Sequence, residues 1–155
     1  SEVSMKERTE LLRGTVLFEG LNEEELSFVA GAFVYRSMKA GEFLFREHAV
    51  RQRFVVLIEG DVHVTKQVPA GSDVVARLSR GDFLGEGLFL DDSVHSYSAV
   101  AASDIRYVEL TRERMGFIKR ITPHIYYTMV EGITRLLSCS SRFRGAARPK
   151  AVRSE

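Results

Sequence analysis

Hydrophobic positions change their period twice along this chain. Between Lys6 and Leu17 the residues Leu11, Leu12, Val16 and Leu17 recur at helical spacing and predict a short helix. Phe18-Glu19-Gly20-Leu21 breaks it. Asn22 then stands as an N-cap, with Glu25 three residues on and Glu23 and Glu24 beside it, where negative charge suits a helix start. Leu26, Val29 and Ala30 form the apolar face of this second helix. From Ala32 the period becomes alternating, and strands are predicted at Phe33–Met38, Phe43–Phe45, Phe54–Ile58, Val62–Val68, Val74–Leu78, Ser96–Ala102 and Ile105–Leu110. Turns fall at Lys39-Ala40-Gly41-Glu42, Glu59-Gly60-Asp61, Pro69 to Asp73, Ser79 to Asp82 and Ser103-Asp104.

After Leu110 the helical period returns. Thr111 caps a helix carrying Met115, Phe117, Ile118 and Ile121, and Pro123 interrupts it. Thr122 is expected to cap a last helix with Pro123 at its first position. Its stripe is Ile125, Tyr126, Met129, Val130, Ile133, Leu136 and Leu137. That stripe is wide enough to pack on the strands with one side and on a partner chain with the other. The expected architecture is α+β. An antiparallel β-roll of about eight strands, jelly-roll-like, is flanked by N-terminal helices and by a C-terminal hinge plus long helix. Residues 1–9 are set aside as a leading tail. Residues 10–140 form the domain, with the roll at about 32–110 and the last helices at about 111–140. Residues 141–155, basic and poor in large apolar side chains, are expected to lack fixed structure.

Composition narrows the function. The 155 residues hold 22 Lys and Arg against 21 Asp and Glu, so no global field draws the chain to nucleic acid or to an anionic membrane. The basic residues Arg142, Arg144, Arg148, Lys150 and Arg153 are read as a solvated tail, and nucleic acid is not an expected partner of this chain alone. The single cysteine, Cys139, excludes an internal disulfide. No apolar run is long enough to span a bilayer, and no secretory pattern opens the chain, so a cytoplasmic protein is expected. His48, His63, His95 and His124 are scattered without metal-ligand spacing. No nucleophile elbow or Walker loop is present, and catalysis is not expected.

The chemistry concentrates in Gly81-Asp82-Phe83-Leu84-Gly85-Glu86-Gly87-Leu88-Phe89-Leu90 and its continuation Asp91-Asp92-Ser93-Val94-His95-Ser96-Tyr97-Ser98-Ala99. It reads as a turn, a short buried strand, one helical turn and a return strand. Glycines allow a bound group to approach the backbone. Free amides there suit an anion, and Glu86 suits a sugar hydroxyl. The same two glycines also suit a plain tight turn.

Taken with Lys39-Ala40-Gly41-Glu42, Phe54 to Asp61 and Val100-Ala101-Ala102-Ser103-Asp104-Ile105, this stretch resembles the cyclic-nucleotide-binding domain. That domain occurs in catabolite-activator-like regulators, protein kinase A regulatory subunits and cyclic-nucleotide-gated channels. The resemblance covers about residues 10–140 and makes Gly85–Ala99 the phosphate-binding cassette. It implies a ligand-binding set of Gly85, Glu86, Gly87, Leu88, His95, Ser96 and Tyr97, with cyclic AMP or cyclic GMP as ligand and no cofactor. In the family, amides of the cassette hold the cyclic phosphate and the Glu of the Gly-Glu pair takes the ribose hydroxyl. An Arg nine residues later clamps the phosphate.

Position 95 here is His, position 97 is Tyr in place of a small residue, and the usual Leu and Ala after the Glu are Gly87 and Leu88. Losing one charge-assisted hydrogen bond weakens binding roughly tenfold to a hundredfold, and a protonated His95 recovers part of it. Alternatively His95 is an ordinary half-exposed residue of a pocket without ligand. The expected function is a regulatory domain that senses a cyclic nucleotide and signals through its C-terminal helix. The alternatives are a dimerisation or docking module without nucleotide, and the sensor half of a catabolite-activator-like transcription factor. A homodimer through the C-terminal helix is an assembly the wide stripe allows.

Overall fold

The computed structural model describes residues 3–90 and 94–139, with side chains as far as 136. Among them, eight strands form two four-stranded antiparallel sheets. The strands are β1 (Val34–Met38), β2 (Phe43–Phe45), β3 (Arg53–Glu59), β4 (Val62–Val68), β5 (Gly71–Leu78), β6 (Phe83–Leu84), β7 (Ser98–Ala101) and β8 (Ile105–Thr111). One sheet runs β1-β8-β3-β6 and the other β2-β7-β4-β5. Helices α1 (Met5–Arg13) and α2 (Glu23–Ala32) precede the roll, and α3 (Arg112–Ile121) and α4 (Pro123–Cys139) follow it. This is the expected α+β roll with flanking helices.

Local chemistry explains most boundaries. Asn22 and Glu25 close a reciprocal capping box at the start of α2, as the pattern predicts. The first helix departs from expectation. Ser4 and Glu7 form a second capping box, so α1 starts at Met5 and includes residues placed in the leading tail. It stops at Arg13 because Gly14 takes the C-cap, and Val16–Phe18 form a separate 3₁₀ turn. Strand β5 starts at Gly71 rather than Val74, because β4 and β5 stay paired down to Val68 opposite Gly71. Thr111 caps α3 by accepting the Arg114 N–H. Thr122 does not cap α4 with its side chain. Its hydroxyl donates to the Ile118 carbonyl at 3.0 Å, while its carbonyl accepts the Ile125 and Tyr126 N–H groups. The stretch from Ser140 onward lies outside the described residues.

Strand β3 joins two cores. Its alternate residues Phe54, Val56 and Ile58 face a helical cluster with Leu12, Leu26, Phe33, Met129 and Ile133. Val55 and Leu57 face the roll interior with Leu44, Val62, Val64, Leu78 and Ala99. A strand buried on both faces must read as an unbroken apolar run, which is why Phe54-Val55-Val56-Leu57-Ile58 shows no alternation. Phe54 centres the helical cluster, with ring centroids of Phe18, Phe33, Phe83 and Phe89 at 6.1, 6.0, 5.8 and 5.3 Å. Next to the roll core, Glu109 is only 4% exposed and accepts from Arg36 at 3.0 Å and Arg53 at 3.1 Å.

Replacing Phe54 with alanine is expected to lower unfolding free energy by about 3–5 kcal/mol, the usual range for emptying a fully buried aromatic site. A denaturant titration measures it. A loss under about 1 kcal/mol would mean that Phe54 does not organise this core.

Candidate functional site

The Gly85-to-Ala99 stretch is built as expected in outline. Strand β6 pairs with β3 through Leu84 opposite Val55, and a 3₁₀ turn covers Glu86–Phe89. Strand β7 then returns against β4 and β2. Gly85 starts the turn in the left-handed region, with φ of 85°. A Cβ there would stand 2.3 Å from the Arg53 carbonyl oxygen and 3.1 Å from Cζ of Phe45, so only glycine fits. Glu86 is half-buried at the first position of the turn. Asp91, Asp92 and Ser93 lie outside the described residues.

The cassette is held from outside by the 46–50 loop after β2. The His95 N–H donates to the Ala49 carbonyl at 2.8 Å, and the His48 N–H donates to the His95 carbonyl at 2.9 Å. Val50 and Val94 form an antiparallel bridge one residue beyond these two bonds. Farther along, the Glu47 N–H donates to the Ser98 hydroxyl at 2.8 Å. The Glu47 carboxylate accepts from Lys66 at 2.9 Å and from the Gln67 N–H at 3.0 Å. These donors hold that carboxyl below its ordinary range, the Lys66 bond first.

His95 is not the half-exposed residue of the alternative reading. It is 6% exposed, and its ring stacks on Phe45 with centroids 4.3 Å apart and planes 20° from parallel. Burial, then the charges of Arg51 and Arg53, lower its pKa from 6.5 to about 4. These surroundings favour the neutral imidazole over the protonated His95 expected to help hold a phosphate. Charging it at neutral pH costs about 4 kcal/mol, at about 1.4 kcal/mol per pKa unit. One charge-assisted hydrogen bond returns about 1.5–3 kcal/mol. The ring is neutral and packs on Phe45.

The other expected residues divide. Gly85, Glu86 and Gly87 come together in the turn. Leu88 does not belong with them: at 1% exposed it is part of the helical core. Ser96 is exposed, and its carbonyl accepts from Lys66 at 2.9 Å. Tyr97 is half-buried against the roll core, with the Lys66 ammonium 5.3 Å from its ring centroid. Sequence reasoning missed the contribution of the segment between β2 and β3 and of Arg53, the first residue of β3. Arg53 lies 5.6 Å from the Phe45 ring centroid, bonds the Leu44 carbonyl and pairs with Glu109. A Cβ at Gly87 would stand 2.6 Å from Cζ of Arg51. The cationic run Arg51-Gln52-Arg53 before β3 was the available signal.

The far end of the turn is tied to the C-terminal helices. The Tyr126 hydroxyl of α4 donates to the Phe89 carbonyl at 2.9 Å, and Phe89 is itself buried in the helical core. No helix among the described residues is long and apolar enough to cross a membrane, and none of their acidic, His or Cys side chains group as a metal site.

In this two-sheet roll a Gly-Glu turn is inserted between two strands, seated on β3 and tied to α4. Residues 35–118 match the family model of the cyclic nucleotide-binding domain, and the chain belongs to that family. It is similar to the cAMP-dependent protein kinase regulatory subunit of Mycosarcoma maydis, with 29% identity over 110 residues, 69% of this chain and 21% of that protein. It is similar also to the Cyclic AMP receptor protein of Thermus thermophilus, with 28% identity over 127 residues, 81% of this chain and 59% of that protein. The chain thus spans well under two thirds of these relatives. A crystal structure of a cyclic nucleotide-binding domain from Methylobacillus flagellatus shares the fold, with a TM-score of 0.76 and 20% identity, covering 97% of this chain and 87% of that one.

The buried His95 has a pH signature. The unfolded residue titrates near 6.5 and the folded one near 4, so the unfolded chain binds more protons in that interval. His95's contribution is therefore full above pH 6.5 and is withdrawn as pH falls toward 4. Urea midpoints measured across that interval should drop more steeply for the wild type than for His95→Gln. Parallel profiles would show that His95 titrates normally.

Proposed function

We propose that this domain takes a cyclic nucleotide, cyclic AMP or cyclic GMP, in the 85–99 cassette and signals its occupancy through α3 and α4. One observation carries the reading: the turn that begins with Gly85-Glu86 is bonded at its other end, through Phe89, to Tyr126 of α4. Glu86 accepts a ribose hydroxyl, and backbone amides of the close-approach glycine turn face the phosphodiester. A ligand that draws the turn toward itself moves the Phe89 carbonyl, and α4 must follow or lose a buried hydrogen bond. Such a bond, once broken without a substitute, costs about 1–3 kcal/mol. That is enough to shift a two-state equilibrium roughly fivefold or more, provided the nucleotide prefers one arrangement. The output is then read at α4, where Tyr127 is exposed, by a further domain, a partner or a second copy of the chain.

A second reading, a docking fold that takes no nucleotide, is favoured by the stack of His95 on Phe45 at the family's clamp position. Thermal unfolding separates the two. A nucleotide present at a hundred times its dissociation constant adds about 2.7 kcal/mol, roughly 5–10 °C for a domain of this size. The sensing reading expects a rise for the wild type and none for Glu86→Ala. Flat melting temperatures for both the wild type and His95→Arg would establish the docking reading instead.

Coupling has its own test. Tyr126→Phe keeps the ring and removes the bond to Phe89, so nucleotide binding should persist while ligand-dependent hydrogen-exchange protection along α4 falls. Unchanged protection would place the signalling route elsewhere.

A further inference from the structure

We propose that α3 is the seam of a two-fold dimer, in which the face made by Glu113, Gly116, Phe117 and Arg120 packs antiparallel on the same face of a second copy of the chain. The four positions are spaced i, i+3, i+4 and i+7, so they share one side of the helix. Glu113, Phe117 and Arg120, with Phe28 and Gly31 of α2, line an open groove of about 880 Å³. Phe117 is 47% exposed, and Phe28 and Ile121 are exposed beside it. Neighbouring large apolar side chains left open in this way mark an interaction surface.

The order of the residues selects the occupant. A two-fold axis that pairs a helix with its own copy brings each residue to the one equally far from the centre on the other side. Centred between Gly116 and Phe117, it sets Glu113 against Arg120 of the second copy and Gly116 against Phe117, each contact made twice. Within one helix Glu113 and Arg120 are two turns, about 10 Å, apart and do not reach each other. A partner of a single charge sign would meet a like charge at one end of this face. A second copy meets the opposite charge at both ends. The other nearby cations point elsewhere: Arg114 donates to the Ala32 carbonyl at 3.2 Å, and the Lys119 ammonium lies 5.1 Å from the Tyr126 ring centroid. Arg120 stays on the face, with Cζ 5.8 Å from the Phe117 ring centroid.

Gly116 supplies a second, independent observation. Glycine inside a helix is destabilising relative to alanine, so its presence needs a reason. Gly116 has ordinary helical backbone, and a Cβ there would meet nothing within 4 Å. Gly132 of α4 differs, since its Cβ would stand 2.6 Å from the Leu17 carbonyl oxygen. The space over Gly116 suits an aromatic ring brought from outside, and the two-fold arrangement places Phe117 of the second copy there. By contrast α4 spends Ile125, Tyr126, Met129 and Ile133 on its own core.

Analytical ultracentrifugation of the 155-residue chain without nucleotide tests the assembly, whatever residues 85–99 bind. A concentration-dependent dimer is expected. Glu113→Arg or Arg120→Glu alone should raise its dissociation constant about tenfold or more, because each sets like charges together at two symmetric points. An equimolar mixture of those two variants should regain the affinity as a heterodimer, and a chain carrying both changes should regain it as a homodimer. Gly116→Gln should weaken the dimer similarly and yet melt no lower than the wild type in dilute solution, because glutamine is the better helix former. Both charged positions are exposed, and melting temperatures check that each variant folds. A wild type that stays monomeric up to about 1 mM would overturn the proposal. Dissociation by the single variants with no recovery in the mixture or the doubly changed chain would overturn it too. A dimer indifferent to all three substitutions but lost in Tyr127→Glu would place the contact on α4 instead.

Discussion

A two-residue strand and a four-residue 3₁₀ turn cannot hold their own shape, and the whole site depends on what clamps them. The clamp is the paired backbone of residues 48–50 with 94–95. Two hydrogen bonds to the His95 peptide and the Val50–Val94 bridge fix the descending arm of the cassette. The ascending arm is fixed by the Arg53 carbonyl lying where a Cβ of residue 85 would be. Both restraints come from one stretch, the loop after β2 and the first residue of β3. That loop is held in turn by Glu47, whose carboxylate reaches across to Lys66 and Gln67 of β4. Cassette geometry is thus dictated by a segment some forty residues earlier in sequence, and a change in either half must be matched in the other.

Strand β3 converts this local clamp into a property of the domain. Its inward residues belong to the roll and its outward residues to the helical core, so the strand cannot shift without disturbing both. Phe54, next to the Arg53 carbonyl that crowds Gly85, packs on Phe89 at the opposite end of the turn. The turn is therefore seated on β3 at both ends and is tethered to α4 by Tyr126. Dense interiors of this kind move between discrete arrangements rather than deforming gradually.

Elements with a repeating pattern or a cap were legible in the sequence. The Asn22–Glu25 box, the Val62–Val68 alternation and the Thr111 cap read directly, because each rests on neighbours in sequence. The doubly buried run of β3 was legible as a strand, although its two faces were not. What escaped reading was set by distant partners. Leu88 resembles a pocket residue by position in the cassette, yet it is buried in the helical core. The ends of α1 turned on Ser4 and Gly14, whose roles depend on which residues lead a helix and which close it. The 46–53 loop carried no periodic signal, because its side chains are chosen to fit the cassette and not one another.

His95 shows how one substitution redistributes several roles. The neutral imidazole lies flat on Phe45. The Arg51 guanidinium lies close enough to Gly87 that a Cβ at that position would crowd it. His95, Phe45, Gly87 and Arg51 therefore form one packing solution. Taken singly, His95 and Gly87 look like departures from the family's pattern. Taken together, they describe a cassette in which the ring at position 95 packs on β2 and the glycine at 87 leaves room for a side chain of the facing loop.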